Sequence, residues 1–175
     1  MKHLSVLAIA LLACGIACNN NKSEGGLSAT AQKNLDAMHG VTQCFDTKDF
    51  SKLGDYIAVD GIDHAGEKGD IKGLDSMKAE FARWSAIIDN PKSEVIKELA
   101  DDEYVMSWMR YTGTLKAPSM GMKAGDKMDM KSIEVARFKD GKAVEHWNMM
   151  EPADMMKMMG NMQQPMAAAD TTKKK

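Results

Sequence analysis

Two histidines are the side chains best suited to transfer protons in this sequence. His146 stands two residues before Asn148 in an alternating segment, so both side chains should point to the same face of a strand. His64 follows Asp63, but adjacent residues of an extended segment point to opposite faces, so a direct Asp63–His64 pair is not expected. His64 and His146 are therefore the candidate general bases. Without a carboxylate beside its ring, His146 is expected to line a pocket rather than to catalyse, with water or Arg137 satisfying it.

A β-hairpin should position His146 and Asn148. Two alternating segments flank Asp140-Gly141, a dipeptide typical of two-residue hairpin turns. Pairing Lys139 with Lys142 fixes the register and sets Val135 opposite His146. One face of the hairpin then carries Ile133, Val135, Val144, His146 and Asn148. The other face carries Glu134, Ala136, Phe138, Glu145 and Trp147. A mostly apolar face with a few polar groups is typical of a ligand pocket, so the first face is predicted to line one.

Other elements supply further candidate ligand-binding residues. Phe81 and Trp84 belong to a helical stripe that should face the same pocket, with His64 and Trp84 at its mouth. Trp108 and Arg110 share one face of a strand, where they could form a cation–π pair or clamp an acidic ligand. Edge contact or dimer packing would explain Trp108 and Arg110 equally well.

Helices come first in the chain and strands follow. Apolar residues recur at helical spacing from Leu27 to Phe45, with Ser28 as a plausible cap, and a short helix opens near Asp49. A brief extended segment over 58–64 precedes a second clear stripe from Leu74 to Ile88, which Asn90-Pro91 should end. Strands are then predicted over 93–100, 104–116, 127–138 and 142–151, with a bulge near Lys131. Pro152 opens a last, Met-rich helix.

This order of elements predicts an α+β fold. A curved antiparallel sheet would wrap around the N-terminal helices as a cone-shaped α+β barrel. The mouth of the cone would be lined by His64, Trp84 and the hairpin. The pocket of the preceding paragraphs would be the interior of this cone.

Methionine is the compositional outlier, at 17 residues. Thioethers are soft ligands that suit copper(I), so a Met-rich copper-binding protein is one alternative. On the last helix Met155, Met158, Met159 and Met162 fall on one stripe, as ordinary packing also requires. His and Cys ligands are missing from this cluster, and no metal site or other cofactor is predicted.

The two ends of the chain predict export and a membrane anchor. Residues 1–18 have a short basic start and an apolar stretch, as a secretory signal does. Cys14 and Cys18 each end a segment similar to a bacterial lipobox, so one of them should carry lipid, and Cys18 stands at the change from apolar to polar sequence. The alternative is an ordinary cleaved signal without lipid. Residues 19–26 would form a flexible tether, 27–160 the domain and 161–175 a disordered tail. The protein should then be anchored in the cell envelope, at the outer membrane or in the periplasm.

Charge and cysteine content exclude several classes of function. The net charge is −2 with mixed signs, and no basic stripe indicates a nucleic-acid partner. Outside the predicted signal only Cys44 remains, so no internal disulfide can form. A buried, unreactive thiol is expected there.

Three segments resemble the SnoaL-like (polyketide-cyclase-like) group of the nuclear transport factor 2-like superfamily. Residues 133–147, with R-F-K-D-G-K-A-V-E-H-W, are similar to that group's hairpin. Residues 104–114, ending in T-G-T, resemble its strand that closes with Gly-Thr, and 120–127 resemble its crossing segment. The resemblance extends over about residues 27–160, and with the N-terminal features it indicates a SnoaL-like bacterial lipoprotein.

The resemblance implies a cone with an apolar pocket, often paired as a homodimer through the sheet. Polyketide ester cyclases of the group use an aspartate just after the hairpin tryptophan as their acid and base. This chain has Asn148 there, and an amide cannot exchange a proton at neutral pH. The group's histidine after Gly-Thr is also missing, because Leu115 holds its place.

Three hypotheses about function follow. The first is a lipid-anchored domain that binds a small apolar or amphipathic molecule in its pocket. The second is an enzyme of the same fold, a cyclase, isomerase or hydratase, with His64 or His146 as base. The third is the copper(I)-binding lipoprotein. An inward carboxylate beside either histidine would favour the second hypothesis.

Overall fold

The computed structural model describes residues 26–119 and 121–163, which fold into helices and one mixed sheet. The elements are α1 (Ala29–Thr47), α2 (Leu53–Tyr56), β1 (Ile57–Asp63), β2 (Ile71–Lys72), α3 (Leu74–Ala86), β3 (Ile88–Ala100), β4 (Tyr104–Leu115), β5 (Lys127–Lys139), β6 (Lys142–Met150) and α4 (Pro152–Gln163). The strand order is β2-β1-β6-β5-β4-β3, and the sheet is curved and not closed. The predicted α+β class is confirmed, although β1 and β6 pair in parallel and the sheet is therefore not wholly antiparallel.

The first helix begins at the predicted cap and crosses the sheet. Ser28 accepts a hydrogen bond at its Oγ from the backbone N–H of Ala31, at 3.0 Å, which satisfies a free donor of the first turn. The helix ends at Thr47, and the cap residue Lys48 has a φ of 59° and donates from Nζ to the carbonyl of Ser85 at 2.8 Å. Because α1 contacts β3, β4 and β6, it covers the inner face of the sheet.

The strand β3 begins earlier than the sequence predicts. The helix α3 ends at Ala86, and β3 already includes Asn90-Pro91, which the sequence analysis placed at the end of a helix. Asn90 has a φ of 49°, and the β3–β4 register shifts between Asp89 and Lys92. Proline is tolerated at this place because β3 is an edge strand and a bulge removes the need for its missing N–H.

The hairpin has the predicted turn but a different register. Asp140 and Gly141 both have positive φ, 56° and 79°, as a two-residue turn of the primed type requires. Beyond the second pair, Val144 is an extra residue in β6, so the strands are joined through a β-bulge. The observed pairs are Lys139–Lys142, Phe138–Ala143, Arg137–Glu145, Ala136–His146, Val135–Trp147 and Glu134–Asn148.

This bulge exchanges the two faces of β5 relative to the prediction. A shift of one residue moves every side chain of a strand to the opposite face. The bulge predicted near Lys131 was wrong, since β4 and β5 pair without a register shift. The residues of β5 that face inward are Met128, Met130, Ser132, Glu134, Ala136 and Phe138. Ile133 and Val135 therefore point outward.

The core lies between the helices and the inner face of the sheet. It includes Leu53, Met77 and Val105, which are at most 3% exposed. Cys44 is also buried, as predicted, and burial raises the pKa of its thiol above the ordinary value. Such a thiol is mostly protonated and a poor nucleophile at neutral pH.

The predicted signal at 1–18, most of the tether and residues 164–175 of the predicted tail lie outside the described residues. Among the helices that are described, none has both the length and the apolar character needed to cross a bilayer.

Candidate functional site

A cavity of about 290 Å³ lies between α1, α3 and the inner face of the sheet. Its walls are mostly apolar, and the apolar residues that line it are Met38, Val41, Phe45, Ile57, Met77, Phe81, Trp84, Ile88, Met128, Met130, Ala136 and Ala143. The polar residues that line it are Thr42, Asp63, Tyr111, Glu134, His146 and Asn148. An apolar hollow with a few convergent polar groups has the character of a small-molecule site.

His146 lies between two buried carboxylates. Its Nδ1 is 2.9 Å from Oδ1 of Asp63, and its Nε2 is 2.8 Å from Oε2 of Glu134. The side chains of Asp63 and Glu134 are 8% and 6% exposed. Burial alone would lower the pKa of His146, but the hydrogen bonds and charges of the two carboxylates raise that pKa to about 10. The imidazole therefore carries a positive charge at neutral pH.

Glu134 is the most fully satisfied acceptor of the site. Besides His146, its carboxylate accepts hydrogen bonds from Tyr111 at 3.0 Å, Ser132 at 2.5 Å and Asn148 at 2.5 Å. Burial alone would raise the pKa of Glu134, but the hydrogen bonds, with His146 first, outweigh burial and hold the pKa below its ordinary value. With four donors around it, Glu134 is an ionised anchor for the network.

Asp63 differs from Glu134 in having an oxygen to spare. Its Oδ1 accepts from His146 and from the backbone N–H of Ala65 at 2.9 Å. Among the described residues no hydrogen bond is made to Oδ2, although the residue is only 6% exposed. Burial opposes ionisation, yet the His146 hydrogen bond and charge lower the pKa of Asp63 below its ordinary value. Asp63 lines the cavity, and one oxygen of its carboxylate has no hydrogen-bond partner among the described residues.

The side-chain hydrogen-bond donors on the described residues that line the cavity are already engaged within the protein. The engaged pairs are Thr42 with the carbonyl of Met38, Trp84 with Glu80, Tyr111 with Glu134, and Asn148 with Ser132 and Glu134. Burial and the Glu134 charge raise the pKa of Tyr111 well above its ordinary value, so its phenol stays protonated and continues to donate. The cavity as it stands offers acceptors to a bound molecule.

Some predicted site residues line the cavity and others do not. Phe81, Trp84, His146 and Asn148 line it, as the sequence analysis expected. That they bind a ligand stays a prediction. The expectation that His146 has no neighbouring carboxylate was wrong, because Asp63 and Glu134 contact both of its ring nitrogens.

His64 lies on the opposite side of the sheet from the cavity. Its ring stacks on Trp147 with a centroid distance of 4.9 Å, and its Nδ1 is 3.0 Å from Asp70. His64 follows the last residue of β1, and its stacking partner Trp147 is paired with the outward-facing Val135, so His64 lies on the outer side of the sheet. The predictions that His64 binds a ligand in the cavity or acts there as a base are therefore wrong, because its side chain does not line the cavity.

The remaining predicted ligand-binding residues are also outside the cavity. Trp108 donates from Nε1 to Glu151 at 3.0 Å, and Arg110 forms two 2.8 Å hydrogen bonds with Asp129. The cation–π pair, one of the alternatives for Trp108 and Arg110, is not among the contacts of the described residues, where Arg83 instead lies over Trp84. Together with Ile133 and Val135, these two residues lie on the outer face of the sheet, where Trp108 and Ile133 are each 39% exposed.

Asp63, Tyr111 and Glu134 are polar residues of the site that were not predicted from the sequence, and neither were Thr42 and most of the apolar wall. Met128, Met130 and Glu134 are separated by even numbers of residues in β5, so their side chains share one face of the strand. Assigning Met128 and Met130 to the inner face therefore predicts that Glu134 also faces inward. Counting from the turn predicts the opposite face for Glu134, which is wrong because the bulge at Val144 shifts the register by one residue. Asp63 ends a short strand whose direction no local pattern fixes.

No metal centre accompanies this site in the part of the chain that is described, where no three or more His, Cys, Asp or Glu side chains are arranged to hold an ion. On α4, Met155, Met156 and Met159 are 49%, 67% and 47% exposed. Copper(I) binding by these thioethers stays a prediction.

Comparison with known proteins identifies relatives of the whole domain. A family model described as SnoaL-like polyketide cyclase matches residues 35–159. No curated protein gives a significant match. TsrD from Streptomyces laurentii is similar at 16% identity and a TM-score of 0.65, over 78% of this chain and 99% of that chain. IdmH from Streptomyces antibioticus is similar at 22% identity and a TM-score of 0.61, over 73% of this chain and 98% of that chain. A SnoaL-like polyketide cyclase from Agrobacterium tumefaciens is similar at 14% identity and a TM-score of 0.63, over 73% of this chain and 98% of that chain. At these identities the structural matches support the fold alone.

Proposed function

The chain belongs to the SnoaL-like polyketide cyclase family, and on that premise we propose that its cone binds a small apolar or amphipathic molecule. The observation that carries this proposal is the cavity of about 290 Å³ with mostly apolar walls and one free carboxylate oxygen at Asp63. Moving apolar surface from water into such a cavity releases about 25 cal/mol per Å². A small hydrocarbon body can therefore supply useful affinity here.

Binding is favoured over base catalysis by His146 for a chemical reason. A general base must be unprotonated, and the pKa of about 10 keeps His146 charged at neutral pH. Both of its nitrogens already face carboxylates, at 2.9 and 2.8 Å. The aspartate used by the family's cyclases is replaced by Asn148, which cannot take its role.

Filling the cavity should weaken ligand binding. Val41 lies on α1 and lines the cavity, so Val41→Trp would place an indole inside it. We expect the affinity for 1-octanol, measured by isothermal titration calorimetry, to fall by about tenfold or more because the hydrocarbon loses its space. Val59→Trp adds the same side chain at a position of β1 that is 78% exposed, and it should bind as the wild type does.

Two results would count against the proposal. One is a folded wild-type protein that binds neither 1-octanol nor other small apolar molecules. The other is equal affinity of the Val41→Trp and Val59→Trp variants, which would mean that the octanol lies elsewhere.

An acid–base enzyme is the second candidate function. The two carboxylates that contact His146 favour it, because the free Oδ2 of Asp63 could accept a proton inside an apolar cavity. It ranks second because the side-chain donors on the described residues that line the cavity already donate within the protein and are not free to stabilise an oxyanion.

Deuterium exchange tests this second function. If Asp63 acts as a base, the protein should speed the exchange of the α-protons of 2-octanone in D₂O, followed by NMR. The C–H bond breaks, the proton passes to Asp63, and a deuteron from solvent replaces it. Asp63→Asn should remove the acceleration and Asp60→Asn, at an exposed position of the same strand, should retain it. Exchange at the uncatalysed rate would contradict a role for Asp63 as a base.

The outer face of the sheet supports a homodimer. Cross-strand neighbours Trp108, Ile133 and Met149 are 39%, 39% and 52% exposed, and Met106 beside them is 43% exposed. A contiguous exposed apolar patch of this kind is typical of an interaction surface, and a two-fold pair would bury the same face on both copies.

A charge at the centre of that face should separate the two copies. Ile133→Lys would put two like charges near the symmetry axis, so we expect a monomer in analytical ultracentrifugation where the wild type is a dimer. Val59→Lys, on β1, is the control and should stay dimeric. A wild-type monomer at micromolar concentration would contradict the proposal.

The N-terminal sequence supports export and lipid anchoring in a bacterial cell envelope. Acylation of Cys18, or of Cys14, would tether the domain through the residues up to 26. Mass spectrometry of the protein from a bacterial host distinguishes the two cysteines and an unmodified, cleaved chain.

A further inference from the structure

The network around His146 carries one net negative charge wherever its protons lie. Each hydrogen bond between a ring nitrogen of His146 and a carboxylate oxygen contains one proton, so the two hydrogen bonds contain two protons. With both protons on the ring, one positive charge faces two negative charges. With one proton on Asp63 or Glu134, a neutral ring and a neutral acid leave a single carboxylate. Both arrangements leave a surplus negative charge inside an apolar cavity.

No second cationic side chain among the described residues of the cavity wall offsets this charge. No lysine or arginine is among the described residues that line the cavity, and His146 is its single cationic group. Arg137, which the sequence suggested as a partner of His146, instead donates a hydrogen bond from Nε to Glu145 at 2.5 Å. An uncompensated charge in an apolar interior is costly, so a bound cation would stabilise the site.

The hydrogen-bonding character of the cavity indicates the same kind of ligand. Its donors are engaged within the protein, whereas Oδ2 of Asp63 accepts no bond from any described residue although Asp63 is only 6% exposed. A group that donates hydrogen bonds and carries positive charge would satisfy this oxygen. A carboxylate ligand would bring a second negative charge against it, and the side-chain donors of the described cavity residues are already engaged.

We propose that the molecule bound in the cavity is an organic amine, with its ammonium group on Asp63 and its hydrocarbon body against the apolar wall formed by residues such as Phe81 and Trp84. This inference rests on the proposed binding function and names the chemical class of the ligand. The contact is a charge-assisted hydrogen bond from the ammonium N–H to Oδ2 of Asp63.

Three probes with the same eight-carbon chain test the proposal on the full-length protein. They are n-octylammonium, 1-octanol and octanoate, each titrated at pH 7 by isothermal titration calorimetry. We expect n-octylammonium to bind about tenfold or more tightly than 1-octanol, and octanoate to bind more weakly than 1-octanol. Octanoate binding as tightly as n-octylammonium would overturn the proposal.

A matched pair of variants assigns the preference to one carboxylate. Asp63→Asn removes the surplus charge, so the preference for n-octylammonium over 1-octanol should fall to about threefold or less while 1-octanol still binds. Asp60→Asn makes the same change on the exposed side of β1 and should keep the full preference. An unchanged preference in a folded Asp63→Asn variant would contradict the assignment.

The wild-type comparison stands without the variants, so a failure of Asp63→Asn to fold leaves the test intact. If none of the three probes binds, the proposed binding function fails. If 1-octanol binds as tightly as n-octylammonium, the binding function stands and the inferred amine is wrong.

Discussion

Replacement of His146 by alanine is expected to lower the free energy of unfolding at pH 7 by about 3–5 kcal/mol. The change removes the positive charge between Asp63 and Glu134, whose side chains are 8% and 6% exposed, and leaves their negative charges without a partner. The loss is measured from urea denaturation of the variant and the wild type.

A second histidine of the same chain provides the control. His39 also contacts a carboxylate, Glu98, at 2.8 Å, but its side chain is 48% exposed. Exposed ion pairs contribute little, so His39→Ala should cost about 1 kcal/mol or less. If the two variants lose the same stability, His146 does not hold a buried charge network.

Raising the pH from 6.5 to 10 should remove several kcal/mol of stability, the second large effect. The ordinary pKa of histidine is 6.5, and the pKa of His146 in the folded protein is about 10. Folding therefore takes up a proton in this window, so the contribution of His146 is complete below pH 6.5 and is lost progressively up to pH 10. The slope is about 1.4 kcal/mol per pH unit where one proton is involved.

The His146→Gln variant isolates this effect from other groups that titrate at alkaline pH. Its stability should change less than that of the wild type between pH 6.5 and 10, so the two curves converge as the pH rises. Parallel curves would show that His146 titrates near its ordinary pKa. At the acid end, Asp63 and Glu134 have lowered pKa values, so their contribution is present above their ordinary pKa values and lost as the pH falls through the folded ones.

Local signals in the sequence predicted most of the elements. The cap at Ser28 and the turn at Asp140-Gly141 each depend on residues a few positions apart, so a single segment contains all the information. The helix end before Pro91 was misplaced because proline is also tolerated in an edge strand at a bulge. Whether β3 is an edge strand depends on the whole sheet, which local sequence does not reveal.

The candidate site was predicted only in part, because local sequence does not reveal which strands pair or where a register shifts. His146 and Asn148 were placed in the pocket, but their neighbours on β5 were assigned to the wrong face because the bulge at Val144 has no signature in the sequence. The inward partner Asp63 is more than 80 residues from His146 along the chain, and their contact depends on the parallel pairing of β1 with β6. Long-range pairing of this kind cannot be read from spacing.

The most direct test of a ligand-binding cavity is a crystal structure of the protein grown with 1-octanol. We predict electron density for the hydrocarbon chain beside Phe81 and Trp84, with the ring of His146 held between Asp63 and Glu134. A cavity filled by the protein's own side chains, or a His146 ring turned into bulk solvent, would contradict the account.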